Sequence, residues 1–277
     1  MNTSDTTAVR PFLKWPGGKY RVLPRIRELL PTGTRLIEPF AGSGAVFLNT
    51  GFEQYLLSDT NADLINLYTI LQQDGPAFIA RCRRYFSGRY NNAESYYRLR
   101  DRFNHSRDPA YRSALFVYLN RHGYNGLCRY NAGGGYNVPF GRYQRPYFPE
   151  REMLAFHARA QRARFELASF EQAMDRAGPG DVIYCDPPYV PLSTSANFTA
   201  YSAGGFGLDR QRQLARLAEQ AANRGVPVLI SNHNTSFTRD AYRNASKIRK
   251  FPVRRNISCN GQQRGPAGEV LALFDPG

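Results

Sequence analysis

Apolar and polar positions follow two periods along the chain. RLIEPFAGSGAVFLN (35–49) places an apolar run before a cluster of small residues, then resumes apolar positions at helical spacing. That pattern predicts strand, glycine turn and helix. YLLSDTNADLINLYTILQ (55–72) repeats the logic, with a short strand ending at Asp59 and a helix after it. DVIYC (181–185) and VPVLISNHN (226–234) are apolar enough to be buried strands, and LDRQRQLARLAEQAANRG (208–225) reads as an amphipathic helix stopped by Gly225. Strands alternating with helices predict an α/β fold with a doubly wound, mostly parallel sheet.

Residues 73–148 break that rhythm. Helical patterns recur around 76–86, 94–104 and 109–121, followed by the Gly- and Asn-dense segment HGYNGLCRYNAGGGYNVPFGRY. Between 62 and 148 there are 13 arginines, five acids and no lysine, so this segment carries +8 of the chain's net +15. A distinct composition between strands predicts an inserted domain at 62–148, leaving 1–61 and 149–277 as a discontinuous second one. The excess of arginine over lysine suits forked contacts to phosphates and guanine, so a nucleic acid is the expected partner.

The remaining composition narrows the setting. A mean hydropathy of −0.52 and no run of ~18 apolar residues predict a soluble protein without a membrane span. The start, MNTSDTTAVRPF, has no secretory pattern and reads as a short disordered lead-in. Cys82, Cys128, Cys185 and Cys259 lack CxxC or metal-ligand spacing, which predicts reduced thiols in a cytoplasm and no metal site.

Three segments carry chemistry. EPFAGSGAVF puts Phe40, Gly42, Ser43 and Gly44 in a turn after the first strand, where backbone can approach a ligand. Asp59, at the end of the next strand, can accept hydrogen bonds from ribose hydroxyls or, on the plainer alternative, cap the following helix. A dinucleotide site would need a third glycine where Phe47 stands, which favours S-adenosylmethionine over a nicotinamide cofactor. VIYCDPPY ends a buried run in Asp186. Its carboxylate and the carbonyl of Pro187 can accept the two hydrogens of an exocyclic amine, and Tyr189 offers a flat face to a base. FLKWPGGK (12–19) adds Trp15 to cover an apolar edge and Lys19 to pair with a carboxylate; alone it would be a turn with surface lysines, Lys14 included.

FLKWPGGK, EPFAGSGAVFLN, SDTNADL, YLNRHGYNGLCRYN, NVPFGRY and VIYCDPPYVPLS, in that order, resemble the DNA adenine methyltransferases of the Dam type, alpha group. The resemblance runs from Phe12 to about Pro276. It implies a Rossmann-like class I methyltransferase fold and a mainly helical target-recognition insert carrying a β-hairpin. It also implies methyl transfer from S-adenosyl-L-methionine to N6 of adenine in double-stranded GATC by base flipping. By matching position, Trp15, Lys19, Phe40, Gly42, Asp59 and Asp186 would contact the cofactor, and Asp186, Pro187 and Tyr189 would hold the flipped adenine. Tyr124 would wedge into the stack and Asn125 would help fill the vacated space. Leu127 would meet the thymine methyl, Arg129 would read the guanine of the third base pair, and Pro139 would add an apolar base contact. Lys14 would read the first guanine, while Arg100, Asn131, Asn137, Arg142 and Tyr143 would contact phosphates. The AGGG turn (132–135) and Pro16 depart from the family pattern. A monomer is expected. An RNA or protein-amide methyltransferase would usually carry Asn at Asp186 and no NGLCRYN segment, and a DNA-binding module with a dead pocket would have no need of Asp59 and Asp186.

Overall fold

The computed structural model describes residues 8–190, 206–253 and 267–276; the lead-in (1–7), Cys259 and residues 191–193 of the VPLS segment lie outside them. The elements in chain order are α1 (Leu23–Leu29), β1 (Arg35–Glu38), β2 (Gln54–Asp59), α2 (Ala62–Arg83), α3 (Ala93–His105), α4 (Pro109–His122), α5 (Glu150–Ala160) and β3 (Ala163–Leu167). They continue with α6 (Phe170–Asp175), β4 (Asp181–Cys185), α7 (Leu208–Asn223), β5 (Val228–His233), α8 (Ser236–Ala241), β6 (Lys247–Val253) and β7 (Ala267–Phe274). Among the described residues, seven strands form one mixed sheet in the order β3-β2-β1-β4-β5-β7-β6. β1 pairs in parallel with β2 and β4, β4 pairs in parallel with β5, and β7 enters antiparallel between β5 and β6. The fold is the expected α/β type, and the reversed strand β7 makes the sheet mixed.

By packing, the chain forms two compact units: residues 1–24, 41–51 and 59–167, and residues 25–40, 52–58 and 168–277. In the second, β4 (DVIYC) is buried at every position, as an uninterrupted apolar strand requires. α7 turns Leu214, Ala215, Ala218 and Ala221 towards Ile183, Val228, Ile230 and Val270, so its buried stripe has helical spacing. Arg35 closes the start of β1 on Asp181 with a forked pair at 2.9 and 2.6 Å.

The first unit is helical and aromatic. Phe12, Phe47, Tyr68, Phe156 and Phe165 meet edge-on, tilted or, for Phe156 and Phe165, stacked, at centroid distances of 4.6 to 6.4 Å. The two helical patterns at 62–72 and 76–86 join as α2 across a kink at Gly75–Pro76, where proline removes a helical hydrogen bond. Asn61, Asn92 and Asp108 cap α2, α3 and α4. One sequence expectation fails: after the glycine turn there is only a 3-10 turn, Phe47–Asn49. The available length is short, and the Asn49 side chain bonds the backbone of Val9 and Ala45. The Gly- and Asn-rich segment folds back on itself with a bridge between Tyr130 and Tyr136.

Candidate functional site

In the first unit the glycine turn is organised around one acid. Asp59 ends β2, and its two carboxylate oxygens accept the backbone N–H of Asn61 (3.0 Å) and of Gly42 (3.3 Å). Asn61, not Asp59, caps α2, so the plainer role weighed for Asp59 falls to its neighbour. Burial pushes the Asp59 carboxyl above its usual range, against the pull of those backbone donors. Gly42 has φ +47°, and a Cβ there would lie 3.2 Å from the Trp15 indole nitrogen, so a side chain would crowd the turn. The Tyr68 hydroxyl donates to the Gly42 carbonyl, a contact the sequence reading missed. Lys19 is buried, with Nζ 2.6 Å from the Gly17 carbonyl. Trp15, Gly42 and Asp59 are therefore gathered, and Lys19 lies beside the same Gly-Gly segment.

The expected nucleic-acid contacts are in the same unit. Tyr124 is 52% exposed, an outlying aromatic of the kind a wedge needs. Its N–H bonds the Pro139 carbonyl (2.8 Å), and Asn125 adopts φ +52°. Arg129 is exposed, and its guanidinium bonds the Asn137 side-chain oxygen at 2.7 Å and the Asn137 carbonyl at 3.2 Å. Leu127 is half-buried and held through its carbonyl by Tyr136 (2.9 Å). Asn131 closes its own turn on Gly135 (2.8 Å). Arg100 donates to the Val138 carbonyl (3.1 Å) and lies over the Tyr97 ring, whereas Arg142 is exposed with φ +52°. Lys14 places Nζ 3.9 Å from the centroid of Tyr143. Burial, then the charge of Arg121, lowers the Lys14 pKa.

The second unit holds the DPPY loop. Asp186 follows β4, and one of its oxygens accepts the Ser231 hydroxyl at 3.0 Å. Ser231 lies on β5 and is itself 3.0 Å from the Tyr184 hydroxyl. The loop is fixed beyond the acid as well. Gln211 of α7 donates to the Pro188 carbonyl (2.7 Å), and Asn232 accepts the Val190 N–H (3.1 Å) while donating to Gln211 and Tyr242. Pro187 is buried, and the Tyr189 ring stands edge-on to His233 at 4.6 Å. Phe40 stacks on Phe170 (5.6 Å) and meets Phe206 edge-on. The sequence reading missed Ser231, Asn232 and Gln211. For Ser231 and Asn232, polar residues inside the apolar run VLISNH were the available signal, since a buried polar group needs a partner.

Comparison with known proteins gives the family. The family described as D12 class N6 adenine-specific DNA methyltransferase matches residues 15–257. The chain belongs to that family. It is 52% identical over 268 residues to the DNA adenine methylase of Escherichia coli (strain K12), covering 97% of this chain and 96% of that one. It is 52% identical to the DNA adenine methylase of Vibrio cholerae (O395), covering 96% of each. With the Serratia marcescens DNA adenine methylase it shares 50% over 266 residues, covering 96% of this chain and 98% of that one. The protein is thus a DNA adenine methyltransferase of the Dam type, with DNA as substrate. Among the described residues, no helix is long and apolar enough to cross a membrane.

Proposed function

We propose that this enzyme methylates N6 of adenine in double-stranded GATC, with S-adenosyl-L-methionine as donor, and acts on an adenine swung out of the duplex. The observation that carries the reading is the carboxylate of Asp186, fixed by Ser231 at the end of a buried strand and followed by Pro-Pro-Tyr. The cofactor fits the residues present: Asp59 offers ribose hydroxyls a half-buried acceptor, and Gly42 leaves open a space that a Cβ would fill beside Trp15. When bound, it supplies a methyl group on a sulfonium. Trp15, Lys19, Phe40, Gly42, Asp59 and Asp186 would hold it.

The residues of the chain do the rest. A lone pair delocalised into the purine is a poor nucleophile. Asp186 and the Pro187 carbonyl take the two N–H hydrogens and orient that pair, and Pro187 has no N–H to compete. Tyr189 supplies a stacking face. Chemistry on a paired base requires extrusion, for which Tyr124 is the wedge and Asn125 the filler. The third base pair of GATC is T·A and holds no guanine, so the guanine expected for Arg129 there is corrected to that of the fourth pair; Lys14 reads the first and Arg129 the fourth, the latter in the forked geometry suited to O6 and N7. Leu127 and Pro139 supply apolar base contacts, and Arg100, Asn131, Asn137, Arg142 and Tyr143 bind phosphates. By task, 62–148 is the recognition domain and 1–61 with 149–277 the catalytic one. The enzyme works as a monomer in the cytoplasm.

The test is to treat plasmid with enzyme and cofactor, then digest it with nucleases that differ in sensitivity to methylated GATC. Protection confined to GATC is expected. Labelling of adenine at equal rates outside GATC overturns the sequence assignment.

A further inference from the structure

Asn120 is an amide at the end of an apolar helix, only 1% exposed, and neither the cofactor nor the DNA roles above use it. A buried amide costs stability unless it is bonded, and this one is. Its oxygen accepts the Lys14 N–H at 2.9 Å, and its nitrogen donates to the Lys14 carbonyl at 2.8 Å. The same nitrogen reaches the Gly126 carbonyl at 3.3 Å. One side chain thus grips the backbone of a residue 106 positions away and the loop six positions ahead of it.

The two gripped segments touch. Gly126 has φ +62°, and a Cβ there would fall 2.2 Å from the Lys14 Cβ. A second tie runs through Tyr143: its ring lies under the Lys14 ammonium, and its hydroxyl accepts the Asn125 N–H at 3.0 Å. Lys14 is also the residue before Trp15, whose indole borders Gly42. The Tyr124–Leu127 loop, the lysine and the cofactor segment are therefore linked through one amide that would face neither ligand.

We propose that Asn120 is a positioning residue that sets the register of Lys14 against the Tyr124–Leu127 loop, and so sharpens discrimination at the first base pair of the target. This rests on the reading of Lys14 and that loop as base-contacting. Aspartate at 120 keeps the shape and the acceptor for the Lys14 N–H but loses both donated bonds; alanine loses all three.

The experiment uses full-length protein and duplexes whose lower strand already carries N6-methyladenine, so that one adenine remains and the base pairs are numbered from it. Relative kcat/KM is measured for GATC and for duplexes substituted at the first or the fourth pair. Asn120→Ala and Asn120→Asp should lower discrimination at the first pair about ten-fold and change the fourth by less than about two-fold. Lys14→Ala calibrates the reading beneath. If that variant leaves first-pair discrimination intact, the assignment of Lys14 fails. If it erodes discrimination while both Asn120 variants keep it, the positioning role fails alone. An equal loss at both outer pairs, or loss of the folded state in both variants, means that Asn120 holds the fold and not the register, and also overturns the proposal.

Discussion

The two acids proposed to serve the reaction stand at the carboxyl ends of parallel strands, Asp59 in the first compact unit and Asp186 in the second, and are held in different ways. Asp59 bonds backbone N–H groups, those of Asn61 and Gly42. Asp186 bonds a side chain, the Ser231 hydroxyl, which is itself within reach of Tyr184. Carboxyl ends of strands are where open α/β sheets bind ligands, so the position is common to both and the support is not. A backbone-held carboxylate has its geometry set by the turn, and no neighbouring side chain needs to be retained. In a hydroxyl-held carboxylate, a replaceable side-chain oxygen takes part in setting the geometry. The first arrangement suits a fixed hydrogen bond to an unreactive hydroxyl, and the second suits an acid that must meet a reacting amine at one angle.

The largest effect that tests the contrast is at Asp186. Asp186→Ala should lower the rate of methyl transfer on saturating substrates by about 10³-fold or more, in the range that removal of a positioned catalytic group produces, and leave duplex affinity largely standing. Single-turnover transfer and a gel-shift titration separate the two. Surviving transfer with lost DNA binding would move Asp186 out of the reaction. Asp59→Ala should act on the other axis, raising the Kd for the cofactor about 10- to 100-fold through loss of charge-assisted hydrogen bonds, with the rate at saturation nearly kept. A collapse of that rate with unchanged cofactor Kd would erase the distinction between the acids.

Ser231 is the more delicate case. Ser231→Ala removes the hydroxyl and leaves the carboxylate, so the rate at saturation should fall about 5- to 10-fold, the equivalent of one hydrogen bond, while both substrate affinities hold. Ser231→Thr restores the hydroxyl and should recover most of the loss. Equal rates for alanine and threonine variants would leave Asp186 as backbone-determined as Asp59.

How far these features could be read in advance depends on the distance between partners along the chain. Buried β4 and amphipathic α7 were legible because their signal is local: five apolar residues in a row, and a 3.6-residue stripe closed by Gly225. The Asp59 turn was legible for the same reason, although its cap proved to be Asn61. The helix predicted after Gly44 failed because its periodicity is satisfied by aromatic packing of a short turn, Phe47 meeting Phe156 and Phe165. Ser231 lies 45 residues from Asp186 and Asn120 lies 106 from Lys14. No window of the sequence contains such a pair, so only the fold brings it into view.

The smallest predicted effect separates the acids by pH. Burial raises the Asp59 carboxyl above the ordinary aspartate value despite its backbone donors. In the unfolded chain the group has its ordinary value, so between the two values the folded form binds more protons. Through this group, stability therefore rises as pH falls across that window, and its destabilising contribution is complete above it. Cofactor affinity should move the opposite way, because ribose hydroxyls are held by the ionised acceptor, which acid removes. Trp15, the only tryptophan of the chain and a neighbour of Gly42, gives the readout: its fluorescence reports cofactor binding as a function of pH. Affinity should weaken with acid at a pH above the usual aspartate range, and Asp59→Asn should flatten the curve. A midpoint at the ordinary aspartate value, or the same slope in the Asn variant, would mean that the turn does not strain the charge it encloses, and the contrast between the two acids would then rest on their hydrogen-bond partners alone.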